Sequence, residues 1–129
     1  MQIAKLILAA MTSAGLALAT NLILGKMGPK GILYIGPTLE EGFKTGFALF
    51  FHVSVPGTHI LFGFLEAVGD FFWGGRRKIL AGVFGITAHT VFGLVTYFLI
   101  RNGVPVFLAV LGSIAFHIAW NTAVLKMSK

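Results

Sequence analysis

The stretch ILYIGPTLEEGFKTGFALFFHVSV, residues 32–55, decides the fold. A helix needs about 20 mostly apolar residues to cross a bilayer, and this run is long enough. Yet it carries Glu40, Glu41 and Lys44 within it. Ionisable side chains inside a bilayer are costly and mark function by default. The fold and the site are therefore read from the same residues.

The rest of the chain supports the membrane reading. Of 129 residues, 57% are hydrophobic and only 11% charged. An ordinary soluble domain carries about 25% charged residues. A chain this short buries too little of its surface to hide that much apolar area in a core of its own. The mean hydropathy of +0.90 agrees. An ordinary soluble enzyme and a disordered chain are both excluded. There is no cysteine, so disulfides and thiolate chemistry are excluded as well.

Four further apolar runs flank the first: residues 3–24, 58–73, 79–100 and 104–125. Short basic or Gly/Pro-rich turns join them, such as Gly25-Lys26-Met27-Gly28-Pro29 and Val55-Pro56-Gly57. The expectation is an all-α polytopic membrane protein, a bundle of five transmembrane helices forming one domain over residues 1–129. The first run, with Lys5 and Ala17-Leu18-Ala19, also has the form of a secretory signal peptide; the bundle reading keeps it as a span.

The net charge is +6 and the pI about 10.1. The bases stand singly or in threes between apolar runs, as in the loops of membrane proteins, and nucleic acid is not an expected partner. With five spans, Lys26, Lys30, Arg76, Arg77, Lys78, Lys126 and Lys129 share one side, and Lys5 and Arg101 the other. The positive-inside rule then puts the N-terminus outside and the C-terminus in the cytoplasm.

The acids are Glu40, Glu41, Glu66 and Asp70. At about 1.5 Å per residue from the basic edge, Glu40 lies about 12 Å deep, Glu41 about 13–14 Å and Glu66 about 10 Å. His89 comes at about 15 Å and His117 at about 12 Å. Four helices thus bring an acid or a histidine to one layer. Asn121 shares a face with His117 at i and i+4, and Lys44 shares one with Glu40 and Glu41. Four plainer readings stand beside this. Thr38-Leu39-Glu40-Glu41 has the form of a capping box after a break at Gly36-Pro37. Lys44 reads as a structural counter-ion for Glu40 or Glu41. Asp70 reads as a helix-end partner of Arg76 and Arg77, and His52 and His59 as interfacial residues.

Carboxylates and imidazoles in a dry layer can bind Zn²⁺, activate water or relay protons. Here a resemblance adds to the residues. Glu40-Glu41-Gly42-Phe43-Lys44 resembles the Glu-Glu-x-x-Lys motif of the PrsW intramembrane proteases, and Phe62-Gly63-Phe64-Leu65-Glu66 their Phe-x-x-x-Glu motif. His89 and His117-x-x-x-Asn121 resemble the remaining motifs, one per span and in order. The wider superfamily includes the type II CAAX prenyl endopeptidases and the Aph subunit of gamma-secretase. CAAX endopeptidases usually have His where this chain has Glu66, which points away from a prenylated substrate. The resemblance implies hydrolysis of a membrane-anchored or transmembrane protein. Glu40 or Glu41 would be the base. Glu66, His89 and His117 would hold a metal such as Zn²⁺ or, without one, position water and stabilise the oxyanion. Asn121 would be a donor, and Lys44 would keep the glutamate pair ionised. Two other classes stay open: a non-catalytic scaffold like the Aph subunit, and a proton- or cation-linked transporter.

Overall fold

The computed structural model describes residues 1–73, 75 and 78–127. Its regular elements are all helical, with no strand among the described residues: α1 (Gln2–Leu24), α2 (Gly36–Phe50), α3 (Val55–Trp73), α4 (Lys78–Arg101) and α5 (Val106–Met127). A 3-10 turn, Gly25–Met27, follows α1, and a wide π turn, Gly31–Ile35, leads into α2. Three helical stretches, Gln2–Met27, Lys78–Arg101 and Val106–Lys126, are long and apolar enough to cross a membrane. Arg76, Arg77 and Lys129, counted on the basic side, lie outside the described residues.

Helix ends follow local chemistry, and two of them differ from the expected spans. The second run stops at Phe50, not at Val55. His52 takes a positive φ of 54°. The Val53 amide bonds back to Ala48 O and the His52 amide to Leu49 O, at 2.9 and 3.1 Å. This six-to-one and five-to-two pair is a Schellman closure. Ser54 then starts α3, its Oγ accepting from the Gly57 amide at 3.1 Å. The other end of α4 closes the same way on Gly103, at φ 83°. The expected break at Gly36-Pro37 is absent, because both Ile35 and Gly36 keep right-handed helical angles. The capping box is absent too: Thr38 Oγ1 donates back to Tyr34 O at 2.7 Å, and Glu41 is engaged elsewhere.

The packing is inverted relative to a soluble domain. The largest fully buried side chains include Lys44, His59, Glu41, Thr45, Thr58 and Thr96, whereas Phe50, Phe72, Trp73, Phe98 and Phe107 are exposed. Apolar exteriors and small or polar contacts between helices are what a lipid solvent favours. α3 and α4 pack most extensively on each other. A methyl group on Gly93 would lie 2.6 Å from His59 Cβ, and one on Gly63 3.1 Å from Ile86 Cα. These two positions set how closely the helices approach.

Gly93→Ala is therefore expected to destabilise the bundle by about 1–3 kcal/mol through overpacking. Gly42→Ala, where a methyl group meets nothing within 4 Å, should not. Thermal unfolding of both variants in detergent checks the contrast.

Candidate functional site

Lys44 lies at the centre, with no exposed side-chain area. Its ammonium donates to Glu41 Oε1 at 2.5 Å, one helical turn back on α2. It reaches His89 Nδ1 on α4 at 2.9 Å and sits 4.6 Å from the centre of the Phe62 ring on α3. An ammonium only donates, so His89 Nδ1 must accept. His89 Nε2 then carries the proton and donates to Glu66 Oε2 on α3, at 2.6 Å. Lys44 thus pairs with Glu41 and not with Glu40.

Glu41 is as buried as Lys44 and fully engaged. Its Oε1 also accepts from His117 Nδ1 at 2.8 Å, and its Oε2 accepts from Ser113 Oγ at 2.5 Å. Both partners stand on α5. Phe92 stacks on the His117 ring at 4.9 Å, and the His89 ring meets His117 edge-on at 5.3 Å. Glu41 can only accept, so His117 Nδ1 carries the proton of that bond and leaves Nε2 on the side of Glu40.

Glu40 is held differently. Its Oε1 accepts from Asn21 Nδ2 of α1 at 2.9 Å. Its Oε2 has no hydrogen-bond partner, although it is buried. That oxygen lies 3.9 Å from His117 Nε2, a spacing that a single water can bridge with hydrogen bonds to both. Gly36 leaves room for the Asn21 carboxamide: a methyl group there would lie 3.1 Å from Asn21 Oδ1.

A cavity of about 540 Å³ lies beside Glu40, lined among others by Asn21, Glu40, Glu66, His89, His117 and Asn121. A second, of about 550 Å³, runs between α1 and α3 and shares Asn21, Glu40, Glu66 and Asp70 with the first. Asn121 lines the first cavity without a hydrogen-bond partner among the described residues. The structure therefore brings Glu40, Glu41, Lys44, Glu66, His89 and His117 into one network and sets Asn121 at its edge.

His59 and the metal trio depart from expectation. His59 is not interfacial. It is fully buried, its Nδ1 3.6 Å from Glu41 Oε2 and its Nε2 3.4 Å from Thr45 Oγ1. His52 is exposed. Asp70 has no ion-pair partner among the described residues and lines both cavities; Arg76 and Arg77, its expected partners, lie outside them. The metal trio Glu66, His89 and His117 does not assemble. Two other trios bring ligand atoms within 4.8 Å of one another: Glu41, His89 and His117, and Glu40, Glu66 and His89. Both need a nitrogen of His89, and the Lys44 and Glu66 bonds occupy both of its nitrogens. The donor set as arranged does not fit a metal ion. Sequence reasoning also missed Asn21 and Ser113. The signal for Ser113 was present, since it stands four residues before His117 on the same face.

Lys44→Met should leave Glu41 buried and unpaired, at a cost of about 3–5 kcal/mol. Lys44→Met combined with Glu41→Gln should regain a large part of that loss. A double-mutant cycle on unfolding in detergent measures the coupling.

No protein-family model, no curated protein and no solved structure matches the chain. Its function is therefore argued from the geometry above and from the motifs.

Proposed function

We propose that the chain is an intramembrane endopeptidase whose general base is Glu40. The observation that carries this reading is the asymmetry of the two adjacent glutamates. Glu41 is closed in by Lys44, Ser113 and His117. Glu40 is held by one oxygen and keeps the other bare, and the residue lines both cavities. A general base needs a free lone pair, and of the two adjacent glutamates only Glu40 keeps one.

The chemistry follows from that geometry. A water between Glu40 Oε2 and His117 Nε2 donates one hydrogen to each and keeps a lone pair for the peptide carbonyl. As the new C–O bond forms, Glu40 takes the water proton and negative charge moves onto the carbonyl oxygen. Asn121, unpaired at the cavity edge, is the available donor for that oxygen. Collapse breaks the C–N bond, and Glu40 returns the proton to the leaving amine. Lys44, Glu41 and His89 act as positioning residues. They fix which nitrogen of His117 is free and hold Glu66 in place. Zn²⁺ has no part in this step, because His89 is already bonded at both nitrogens.

The reading places α2 and α3 in the membrane beside α1, α4 and α5. That gives five spans, with the N-terminus outside and the C-terminus cytoplasmic. The substrate is then a membrane-anchored or transmembrane protein. The same closed network also suits a non-catalytic scaffold resembling the Aph subunit, in which buried pairs fix helix positions for a partner. A scaffold has no use for the bare oxygen on Glu40.

Purified protein in detergent should cleave a membrane-anchored peptide. Glu40→Gln should lower kcat by about 10²–10⁴, the range of general-base catalysis, and leave thermal unfolding nearly unchanged. Chelator should leave the rate unaltered. Full activity in Glu40→Gln would sink the mechanism, and a loss of activity in chelator would restore the metal. The native chain has no cysteine, so single-cysteine labelling reads the topology cleanly. Lys26→Cys should label from the cytoplasmic side and Asn102→Cys from the outside.

A further inference from the structure

Besides the two cavities that Glu40 lines, a third, of about 580 Å³, lies at the connector after α1. Gly25, Gly28 and Pro29 wall it on one side and Val124 of α5 on the other. The three cavities share walls in a fixed order. The α1–α3 cavity shares Asn21, Glu40, Glu66 and Asp70 with the cavity that His89 and His117 line. That middle cavity shares Ile32, Trp120, Asn121 and Val124 with the connector cavity. The two outer cavities share no residue with each other. Glu40 thus stands at one junction of the series and Asn121 at the other.

The two ends of the series differ. Met11, Leu18, Leu65 and Val68 of the α1–α3 cavity are exposed apolar side chains, so this end meets lipid. The connector cavity lies where Lys26 and Lys30 flank its Gly28 and Pro29, the basic edge that the positive-inside rule puts at the cytoplasmic surface. Between these ends the wall carries Asn21, Glu40, Glu66, His89, His117 and Asn121. An occupant of the whole series must be apolar where it enters, form hydrogen bonds in the middle and end at water. A hydrocarbon chain would leave the polar middle without partners, which is costly. A polypeptide offers an N–H and a C=O at nearly every residue. An endopeptidase also needs room for chain on both sides of the bond it cuts, and cavities on both sides of the His117 site supply it.

We propose that the three cavities form one trough for a single stretch of substrate polypeptide. The stretch enters from lipid between α1 and α3, passes Glu40 and Asn121, and leaves at the cytoplasmic edge between the connector and α5. The inference rests on the endopeptidase reading for the identity of the ligand, but occupancy can be measured apart from cleavage.

The test uses the full chain in detergent, with Glu40→Gln so that the peptide stays whole. Leu18→Cys reports on the α1–α3 cavity and Leu33→Cys on the connector cavity. Each is offered a labelled single-span peptide with one cysteine, activated as a thiopyridyl disulfide and moved residue by residue from the membrane segment into the cytoplasmic flank. Leu18→Cys should capture positions in the membrane segment and Leu33→Cys a separate set nearer the flank. Gly15 lines the α1–α3 cavity, and a Cβ there meets nothing within 4 Å. Gly15→Phe should therefore fill the trough without loss of thermal stability and lower capture at Leu33→Cys at least about tenfold, because one chain occupies both cavities. Gly46→Phe, equally open but outside all three cavities, should not. Capture of the same peptide positions at both cysteines overturns the proposal. So does capture at Leu33→Cys that is absent or unmoved by Gly15→Phe, or displacement of the peptide from both cysteines by a phospholipid activated on its acyl chain. If capture follows the expected order but the chain with native Glu40 leaves the peptide uncut, the trough stands and the protease reading fails.

Discussion

The buried Lys44–Glu41 pair is the interaction on which the rest of the structure depends. An ammonium removed from both water and lipid headgroups is tolerated only if its partners are fixed and complete. Glu41 lies three residues before Lys44 on α2, so one helix supplies both charges at neighbouring positions. The remaining contacts of Lys44 tie α2 to α4 through His89 and to α3 through Phe62. Those of Glu41 tie it to α5 through Ser113 and His117. The consequence is more than cohesion. Because Lys44 can only donate, it dictates the proton position on His89. Because Glu41 can only accept, it dictates the one on His117. One charge pair orders the hydrogen bonds of four helices.

That order matters because the bundle has little else to specify it. Large apolar side chains cover the outside, while the tightest contacts inside are made by alanine, glycine, serine and threonine. In lipid, apolar contacts between helices are no better than contacts with the solvent, so register comes from shape and from polar bonds. Gly93 seats His59, and Ser13 links α1 to α2 by donating to Phe43 O at 3.2 Å. The two helices that carry all four acids, α2 and α3, are flanked by the three that are apolar enough to span on their own. The apolar helices shield what the acidic ones carry.

Much of this was legible in the sequence, for a definite reason. Depth along a helix is nearly linear in residue number, so counting from the basic edge brought Glu40, Glu41, Glu66, His89 and His117 to one layer, where they meet. Rotation and helix ends are not linear in this way. The turn that separates α2 from α3 lies at 51–54, four residues before the Val55-Pro56-Gly57 signal, because His52 adopts a left-handed conformation that sequence gives little hint of. That shift carries His59 from the expected interface into α3, where it is buried beside Glu41. Asn21 was invisible for another reason. A lone neutral amide in an apolar run has many uses, and only the packing of α1 on α2 shows that it holds Glu40. The pairing within the acids was equally hidden: adjacency on the chain made Glu40 and Glu41 look interchangeable as partners of Lys44.

They are not interchangeable, because adjacent residues on a helix point about 100° apart. The rotation that turns Glu41 into the α3–α4–α5 interior turns Glu40 toward α1 and the cavities. One carboxylate is thereby completed by Lys44, Ser113 and His117, and the other is left with a bare oxygen. An arrangement serving stability alone would satisfy both, since an unbonded buried oxygen costs about 1–3 kcal/mol. Asn21 makes the point sharper, for it supplies a hydrogen bond to Glu40 yet spends it on the oxygen away from His117. The bare oxygen is held in place, not merely unpaired. Holding it there beside the His117 ring has a cost in folding, and activation of water, as proposed for an endopeptidase, would give that cost a use.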